Sequence, residues 1–390
     1  MGLNSTEQAL VQEVKMKQPT YEEQLRSLVL QGSLTTDVDG VNQVGLQMEH
    51  LFQVAGLHTS VMVTGGGGHH VLARTRSDAG NRLLLMGHLD TVHAEGSDLV
   101  PDPTHSDRLL GLGAADMKGG LVVLAGAVQA LSEAGLLEGR SLTVLLTADE
   151  EAGSPTARDL IEAEAREHHL CLVVECGTSG GDDSSAFVTE RSGMRRLTVN
   201  ITGVASHSGA AHGAGVSAAH EMGHLICALE KLNDPRSLLS VNVGLAAAGT
   251  AVNTVPAHAQ VQVDCRFPTQ EAGEVLQEKV DSILASPTLS SIRMDVVEGL
   301  THEPLVRTDA VGRMAGRIIE WGADLGLTLA EERRGGCSDG NIAASVGCCV
   351  VDGLGVVGGD MHSPNEWMAG QSLSDRTALM AVVAKRFYEL

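Results

Sequence analysis

Carboxylate and imidazole side chains follow three apolar segments of the chain, at the point where each segment ends. The segments are residues 83–86, 142–147 and 170–174, and the side chains that follow them are His88, Asp90, Glu150, Glu151 and Glu175. Short runs of Leu, Val and Ile are typical of strands that are buried on both faces of a parallel sheet. Sites in open α/β sheets lie at the carboxyl ends of the strands, so we expect these side chains to share one edge.

Two further candidates lie in glycine-rich segments, Asp116 in GLGAADMKGG and His362 in GGDMHSPNEW. A set of imidazoles and carboxylates without cysteine favours zinc or another borderline divalent ion. So many carboxylates cannot stay ionised side by side without cations between them. Five ligands also exceed what one tetrahedral catalytic ion takes from a protein, so we predict two metal ions bridged by one carboxylate. A single Asp or Glu at a strand end is more often a cap, and the prediction therefore depends on the joint pattern.

The elements that must position these residues alternate between strands and helices. Apolar strands and helical patterns, such as residues 120–134 and 154–168, predict an α/β architecture for the first and last parts of the chain. Residues 196–202 and 259–264 instead alternate polar and apolar side chains, as in antiparallel strands with one wet face. We therefore expect a β-α-β-β-α-β unit inserted into the α/β domain. The predicted segments are a catalytic domain over 1–194, the inserted domain over 195–303 and the rest of the catalytic domain over 304–390.

Composition excludes several classes of protein. The chain has 390 residues, of which 43% are hydrophobic, so it is long enough for two or three domains with a sizeable core. Lys and Arg number 27 and Asp and Glu number 49, giving a net charge of −22, which argues against nucleic acid as a partner. The first 25 residues lack the apolar region of a secretory signal, and we expect no membrane span. Seven cysteines without a CxxC motif favour reduced thiols and a cytoplasmic location.

The ordered motifs resemble those of the dinuclear-zinc amidohydrolases and carboxypeptidases, from about residue 20 to the C-terminus. That family includes acetylornithine deacetylase, succinyl-diaminopimelate desuccinylase, aminoacylase and bacterial glutamate carboxypeptidase, and the chain looks most similar to the last of these. The motifs that carry the resemblance are MGHLDTVH, GLGAADMKGG, TADEEAGS, VVECGTSGG, GGCSDGN and GLGVVGGDMHSPNEW. The resemblance implies a zinc-exopeptidase-like α/β domain with a mostly parallel sheet flanked by helices. It also implies that the inserted α+β domain is a ferredoxin-like lid and dimerisation domain.

The resemblance assigns a role to each candidate at the strand ends. It implies that His88 and Glu175 hold one Zn²⁺ and that Glu151 and His362 hold the other, with Co²⁺ or Mn²⁺ as possible substitutes. Asp116 would bridge the two ions and precede a cis peptide bond to Met117. Asp90 would orient the imidazole of His88. Glu150 would be the general base that takes a proton from the attacking water and passes it to the leaving amine.

In the inserted domain and beyond it, the resemblance points to residues that would handle the substrate. His207, in ASHSG, matches a lid histidine that reaches the partner subunit's active site in a homodimer and helps to stabilise the oxyanion. Asn253 and Arg266 match residues that fix the substrate's carboxylate. The planar guanidinium of Arg suits that task, because it can donate two parallel hydrogen bonds to a carboxylate. From the residues alone, Arg266 in an alternating strand is more often a surface residue than a binding residue. We expect Gly336 to shape the substrate pocket through its backbone.

The expected activity is zinc-dependent hydrolysis of an amide bond next to a free carboxylate. The substrate would be an N-acyl amino acid or a short peptide, with release of a C-terminal glutamate as the leading hypothesis. An N-acyl amino acid deacylase of the same family is the alternative. It is favoured by the lack of any Arg between Arg293 and Arg307, where glutamate-specific enzymes have a second carboxylate-binding Arg.

Two other classes of function stay open at this point. His220-Glu221-Met222-Gly223-His224 is an HExxH motif on a predicted helix, the arrangement of a zincin. The chain has Cys227 and Glu230 where a metzincin would have Gly and His, so we interpret the two imidazoles as helix residues. The second possibility is a non-catalytic protein that has kept the fold, although no ligand of the family pattern is missing.

Overall fold

The computed structural model describes residues 2–77, 80–180, 184–234 and 236–390. The chain divides into two compact units. The first unit consists of Met1–Glu190, Arg307–Arg333 and Ser338–Leu390, and the second consists of Arg191–Val306 and Arg334–Cys337.

The helices and strands are numbered along the chain. The helices are α1 (Ser5–Met16), α2 (Gln18–Leu30), α3 (Val38–Val54), α4 (Gly119–Glu133), α5 (Arg158–Glu167), α6 (Ala218–Glu230), α7 (Gln270–Leu284), α8 (Asp309–Asp324), α9 (Asp339–Ser345) and α10 (Ser372–Phe387). The strands are β1 (His58–Met62), β2 (His70–Arg74), β3 (Arg82–His88), β4 (Val100–Pro101), β5 (Arg108–Leu110), β6 (Ser141–Thr147), β7 (Leu170–Val173), β8 (Thr178–Ser179), β9 (Ser184–Arg191), β10 (Gly193–Thr202), β11 (Ser206–His207), β12 (Ser240–Ala248), β13 (Thr254–Val255), β14 (His258–Phe267), β15 (Arg293–His302), β16 (Thr328–Arg334), β17 (Val350–Val351), β18 (Gly358–Gly359) and β19 (Trp367–Ala369).

The first unit is built on a six-stranded sheet with the order β1-β2-β6-β3-β7-β17. The strands β6, β3, β7 and β17 run parallel, whereas β1 and β2 form an antiparallel edge. Nearly every residue of β3, β6 and β7 is buried, because helices such as α4, α5 and α9 pack on these strands. The predicted α/β class, a mostly parallel sheet flanked by helices, is confirmed.

The apolar helix α4 is part of the core of this unit. Within the described residues, Ala114–Glu133 is the one stretch long and apolar enough to cross a membrane by length and composition, and it is mostly buried inside the protein. A Cβ at Gly120 would collide with the carbonyl oxygen of Val174, so glycine lets the start of α4 approach the end of β7. This close approach brings the segment before α4 next to the carboxyl ends of the strands.

The second unit has the β-α-β-β-α-β order predicted from the sequence. Its main sheet has the spatial order β12-β14-β10-β15 with every pairing antiparallel, which is the ferredoxin-like arrangement. The strand β14 alternates exposed and buried residues, and its buried side chains pack with those of α6 and α7 in a separate apolar core. The alternation seen in the sequence thus corresponds to one packed and one wet face.

A buried ion-pair cluster joins the first and last helices of the first unit. Glu7 on α1 is only 2% exposed, and its two carboxylate oxygens accept hydrogen bonds of 2.9 Å from Nε and Nη2 of Arg386 on α10. Lys385 Nζ adds a third bond of 3.2 Å. The hydrogen bonds from Arg386 lower the pKa of Glu7 to about 2, although burial opposes this shift.

We expect Glu7→Gln to lower the free energy of unfolding at pH 7 by about 3 kcal/mol, because it removes the buried carboxylate with which both Lys385 and Arg386 are paired. Since the folded-state pKa lies below the ordinary value of 4.5, this contribution is complete above pH 4.5 and is lost as the pH falls toward 2. Urea unfolding at pH 7 and at pH 3.5 tests both points, with the exposed Glu23→Gln as the control. A cost that stays equal at the two pH values would contradict this assignment.

Candidate metal centre

The candidate residues of the first unit converge at the carboxyl ends of its parallel strands. His88 is the last residue of β3, Glu150 and Glu151 lie in a 3₁₀ turn after β6, and Glu175 follows β7 by two residues. His88, Asp116 and Glu151 each offer a ligand atom within 4.8 Å of the others, and so do His88, Glu150 and Glu175. The structure therefore contains a candidate metal-binding cluster at the predicted edge of the sheet.

Asp116 lies between two imidazoles and presents a different oxygen to each. Its Oδ1 is 3.2 Å from Nε2 of His88, and its Oδ2 is 3.3 Å from Nε2 of His362. Glu175 Oε1 is 3.6 Å from the same nitrogen of His88, and Glu151 Oε2 is 3.3 Å from that of His362. Two ligands of one zinc ion, each bonded at about 2 Å, lie about 3 Å apart, so these spacings match what one ion on each side would need.

The segments that carry Asp116 and His362 have unusual backbone conformations. The peptide bond between Asp116 and Met117 is cis, as the resemblance implied. Asp360 and His362 have positive φ angles of 54° and 63°, in the left-handed region that few residues other than glycine adopt. This turn, which follows β18, brings the His362 imidazole to Asp116 and Glu151.

The electrostatics of the cluster favour added positive charge. Hydrogen bonds to Asp116 and Glu151 raise the pKa of His362 to about 10. Burial alone would lower the pKa of His88, but its hydrogen bonds with Asp116 and Asp90 raise it well above the usual range. Glu151 Oε1 is buried without a hydrogen-bond partner among the described residues. A divalent ion fits this donor set, because it would satisfy that oxygen and compensate the carboxylates.

Asp90 fixes both the orientation and the tautomer of His88. The Nδ1 of His88 lies 2.9 Å from the backbone carbonyl of Asp90, which can only accept, so Nδ1 carries the proton. This leaves Nε2 as the nitrogen that faces Asp116 and Glu175 and that would bind a metal ion. The fully buried Asp90 carboxylate also accepts the backbone N–H groups of Glu150 and Glu151, at 3.2 Å each.

Glu150 has a different environment from its neighbour Glu151. Burial raises its pKa well above the ordinary value, and the nearby charge of Glu175 adds to this shift, against an opposing effect of His88. A carboxyl group with a raised pKa can accept a proton and pass it on near neutral pH.

Two buried carboxylates of the site were not predicted from the sequence as site side chains. Glu366 is 1% exposed and accepts the backbone N–H groups of Gly113, Ala115 and Asp116 at 2.8–3.0 Å, so it holds the loop that carries Asp116. The sequence could have indicated Glu366, because this residue lies in the same motif as His362. The second carboxylate is Asp339.

Asp339 is the first residue of α9, in the segment expected to shape the substrate pocket. Its Oδ2 accepts a 2.6 Å hydrogen bond from the hydroxyl of Thr147, the last residue of β6, and its Oδ1 accepts one from Ser154. Burial raises the pKa of Asp339 to about 6. The side chain therefore ties α9 to the turn that carries Glu150 and Glu151.

His207 and Asn253 lie together in the second unit. His207 on β11 pairs with Thr254 on β13, and the Ser208 N–H donates to the Asn253 carbonyl at 3.0 Å. Both residues are exposed. The Nδ1 of His207 accepts N–H groups from Gly209 and Ala210 at 3.1 Å each. Its proton is therefore on Nε2, which is a hydrogen-bond donor.

Arg266 and Gly336 form another group in the second unit. Arg266 on β14 donates hydrogen bonds from Nε and Nη2 to the carboxylate of Asp264 at 2.6 and 3.1 Å. Its guanidinium is therefore already paired with a carboxylate. Its Nη1 reaches Cys337 Sγ at 3.4 Å, next to Gly336. Gly336 is exposed, and its carbonyl accepts a 3.1 Å hydrogen bond from Arg191.

The HExxH motif lies on α6 and does not have the arrangement of a zincin. Glu221 is 2% exposed and accepts the backbone N–H groups of Thr288 and Leu289 at 2.7 and 2.8 Å. Its carboxylate therefore holds the segment after α7 and is not available as a base. The helix ends at Glu230.

Comparison with known proteins supplies independent evidence. Peptidase family M20/M25/M40 matches residues 84–386. The chain is 30% identical to carboxypeptidase G2 of Pseudomonas sp. (strain RS-16) over 376 residues, which cover 95% of this chain and 90% of that protein. It is 29% identical to succinyl-diaminopimelate desuccinylase of Bordetella avium (strain 197N), over 78% of this chain and 82% of that protein. A solved tripeptidase of Staphylococcus aureus shares the fold, with a TM-score of 0.79, 20% identity and coverage of 96% of this chain and 99% of that one.

The fold and the cluster define the class of this protein, a metallopeptidase-type hydrolase that acts on peptide or amide bonds. A parallel sheet presents imidazoles and carboxylates at one edge, and the cluster that they form is suited to divalent metal. The family match over residues 84–386 shows that the chain belongs to peptidase family M20/M25/M40. The resemblance noted from the motifs is thereby confirmed.

We expect Glu366→Gln to lower the affinity for zinc by about 10–100-fold, as loss of an outer-shell partner commonly does. The amide accepts at one atom only, so the loop of residues 113–116 loses N–H partners and Asp116 loses its position. Zinc retained during dialysis against a chelator measures the effect, and urea unfolding checks that the fold is kept. The exposed Glu138→Gln is the control, and unchanged zinc retention in Glu366→Gln would contradict the role.

Proposed function

We propose that this protein is a dinuclear zinc hydrolase that cleaves an amide bond next to a free carboxylate. The observation that carries the proposal is the position of Asp116, whose two oxygens face different imidazoles at 3.2 and 3.3 Å. A carboxylate in that position is suited to bridging two ions. His88 and Glu175 would hold one ion, and Glu151 and His362 would hold the other. Co²⁺ or Mn²⁺ could replace zinc, since the donor set is not selective among borderline divalent ions.

When bound, the two ions would lower the pKa of a water molecule and polarise the scissile carbonyl. Glu150 would take the proton of the attacking water and deliver it to the nitrogen of the leaving amine. Its raised pKa supports this task, and so does its place in the same cluster as His88 and Glu175. The backbone bond from Glu150 to Asp90 would keep it in position.

The substrate in this proposal is an N-acyl amino acid or a short peptide, with glutamate as the leaving group. Similarity to carboxypeptidase G2 over 95% of the chain supports a C-terminal amino acid as the product. The alternative is a deacylase, supported by similarity to a desuccinylase and by the absence of Arg between Arg293 and Arg307. In either case Asn253, Arg266 and Gly336 are the proposed contacts for the substrate, whose carboxylate would compete with Asp264 for the guanidinium of Arg266.

The second unit would serve as the lid and dimerisation domain. His207 would stabilise the oxyanion in the partner subunit's active site, and its exposed imidazole with the proton on Nε2 is suited to that task. The strand β12 is an edge of its sheet, and Leu245 on it is 62% exposed. An apolar edge strand is a surface suited to pairing with a second copy.

A cytoplasmic location is also part of the proposal, supported by seven free cysteines.

We expect zinc-loaded protein to hydrolyse N-acyl-L-glutamates faster than other N-acyl amino acids. Glu150→Gln should lower kcat by about 10²–10⁴-fold with little change in zinc content, because it removes a proton acceptor and not a ligand. Steady-state kinetics and metal analysis of the same samples measure both quantities.

Glu138→Gln, which is exposed, is the matched control and should keep full activity. The protein could instead prefer N-acyl derivatives of other amino acids, with this activity also lost in Glu150→Gln. That result would favour the deacylase alternative. Activity that survives in Glu150→Gln would overturn the proposed mechanism.

Light scattering should give a mass of about twice the 40.7 kDa of one chain. We expect Leu245→Glu to shift the mass toward that of a monomer, because it places a charge in the proposed interface. Val61→Glu, on the exposed strand β1 of the first unit, is the control and should leave the mass unchanged. A monomeric wild type at micromolar concentration would refute the proposed dimer.

A further inference from the structure

We propose that His220 and His224 on α6 form a second, surface site for a transition-metal ion, separate from the carboxylate cluster of the first unit. The two imidazoles are one helical turn apart and both are exposed. Their Nε2 atoms are 3.1 Å apart, and the ring centroids are 4.7 Å apart. Residues at i and i+4 lie on the same face of a helix, so one ion can reach both rings.

The distance between the two nitrogens fits a single ion. With metal–nitrogen bonds of about 2.05 Å, two imidazoles are about 2.9 Å apart at a right angle and about 3.3 Å apart at a tetrahedral angle. The observed 3.1 Å lies between these values. Binding therefore needs no rotation of the helix and only a proton on Nδ1 of each ring, which frees both Nε2 lone pairs.

The helix that carries the pair is held in place from its other face. Ser217 caps its N-terminus by accepting the His220 N–H at 3.2 Å. Glu221, between the two imidazoles in sequence, is buried and bonded to the N–H groups of Thr288 and Leu289. The same bonds that remove Glu221 from catalysis thus fix α6 and keep the two rings on the exposed face. Because the helix is already fixed, ion binding restricts only the side-chain torsions of the two rings.

The surroundings leave space for the other ligands of the ion. A cavity of about 270 Å³ lies beside His220 and is also lined by His212, Ser217 and Ser290. Because both imidazoles are exposed, water molecules can complete the coordination of an ion that they share. Two imidazoles as the protein ligands favour Ni²⁺, Cu²⁺ or Zn²⁺ over Mg²⁺, which prefers oxygen ligands.

The test is calorimetric titration of zinc-loaded protein with Ni²⁺, with zinc content measured before and after. Ni²⁺ is preferred to Cu²⁺ as the probe because the chain has seven free thiols. We expect one Ni²⁺ per chain with no loss of zinc. His220→Ala and His224→Ala should each lower the Ni²⁺ affinity about 100-fold, because a single imidazole loses the chelate effect.

His258→Ala removes an exposed imidazole of β14 in the same unit and is the matched control, which should bind Ni²⁺ like the wild type. Amide hydrolysis by the zinc-loaded variants should stay at the wild-type rate, because the pair takes no part in the reaction. Equal Ni²⁺ binding by wild type, His220→Ala and His224→Ala would overturn the site. Binding of Mg²⁺ with the affinity of Ni²⁺, or loss of hydrolysis in His224→Ala, would also overturn it.

Discussion

The burial of negative charge at one edge of a parallel sheet is the constraint on which the first unit depends. A carboxylate taken out of water requires hydrogen-bond donors or a cation. The structure supplies both kinds of partner. Asp90 and Glu366 are satisfied by backbone N–H groups of the loops beside them, and Asp116 lies between two imidazoles. These same bonds fix the loops that carry the remaining candidate ligands, so charge compensation and site geometry have one cause.

Neighbouring carboxylates in this cluster have different tasks because their surroundings differ. Glu151 points to His362 and has one oxygen without a partner, which suits a ligand. Glu150 is half-buried beside other negative charges, and loss of solvent together with these charges raises its pKa, which suits a proton acceptor. Asp339 is held by the hydroxyls of Thr147 and Ser154 and supports the turn between them. Residue type alone does not separate these tasks, since all three are carboxylates that follow apolar segments or begin a helix.

The HExxH motif shows where local spacing stops being informative. The HExxH motif predicts two imidazoles and a base on one helix, but the tertiary structure turns Glu221 to a segment 67 residues further along the chain. The imidazoles remain a pair, and the carboxylate becomes a structural acceptor. Arg266 shows the opposite case. Its partner Asp264 lies two residues away on the same strand, and side chains two apart share a face, so their pairing was accessible from the sequence.

The sequence by itself determined the buried strands β3, β6 and β7, their parallel arrangement and the side chains at their ends. Apolar runs and alternation depend on neighbours close in the chain, and parallel strands necessarily bring their carboxyl ends to one edge. Only the tertiary structure decided which oxygen of Asp116 faces which imidazole and which acceptor holds its loop. Glu366 reaches that loop across 250 residues of chain, and no local period encodes such a contact. Packing of distant elements fixes it, because a buried N–H or carboxylate must find a partner wherever the fold brings one.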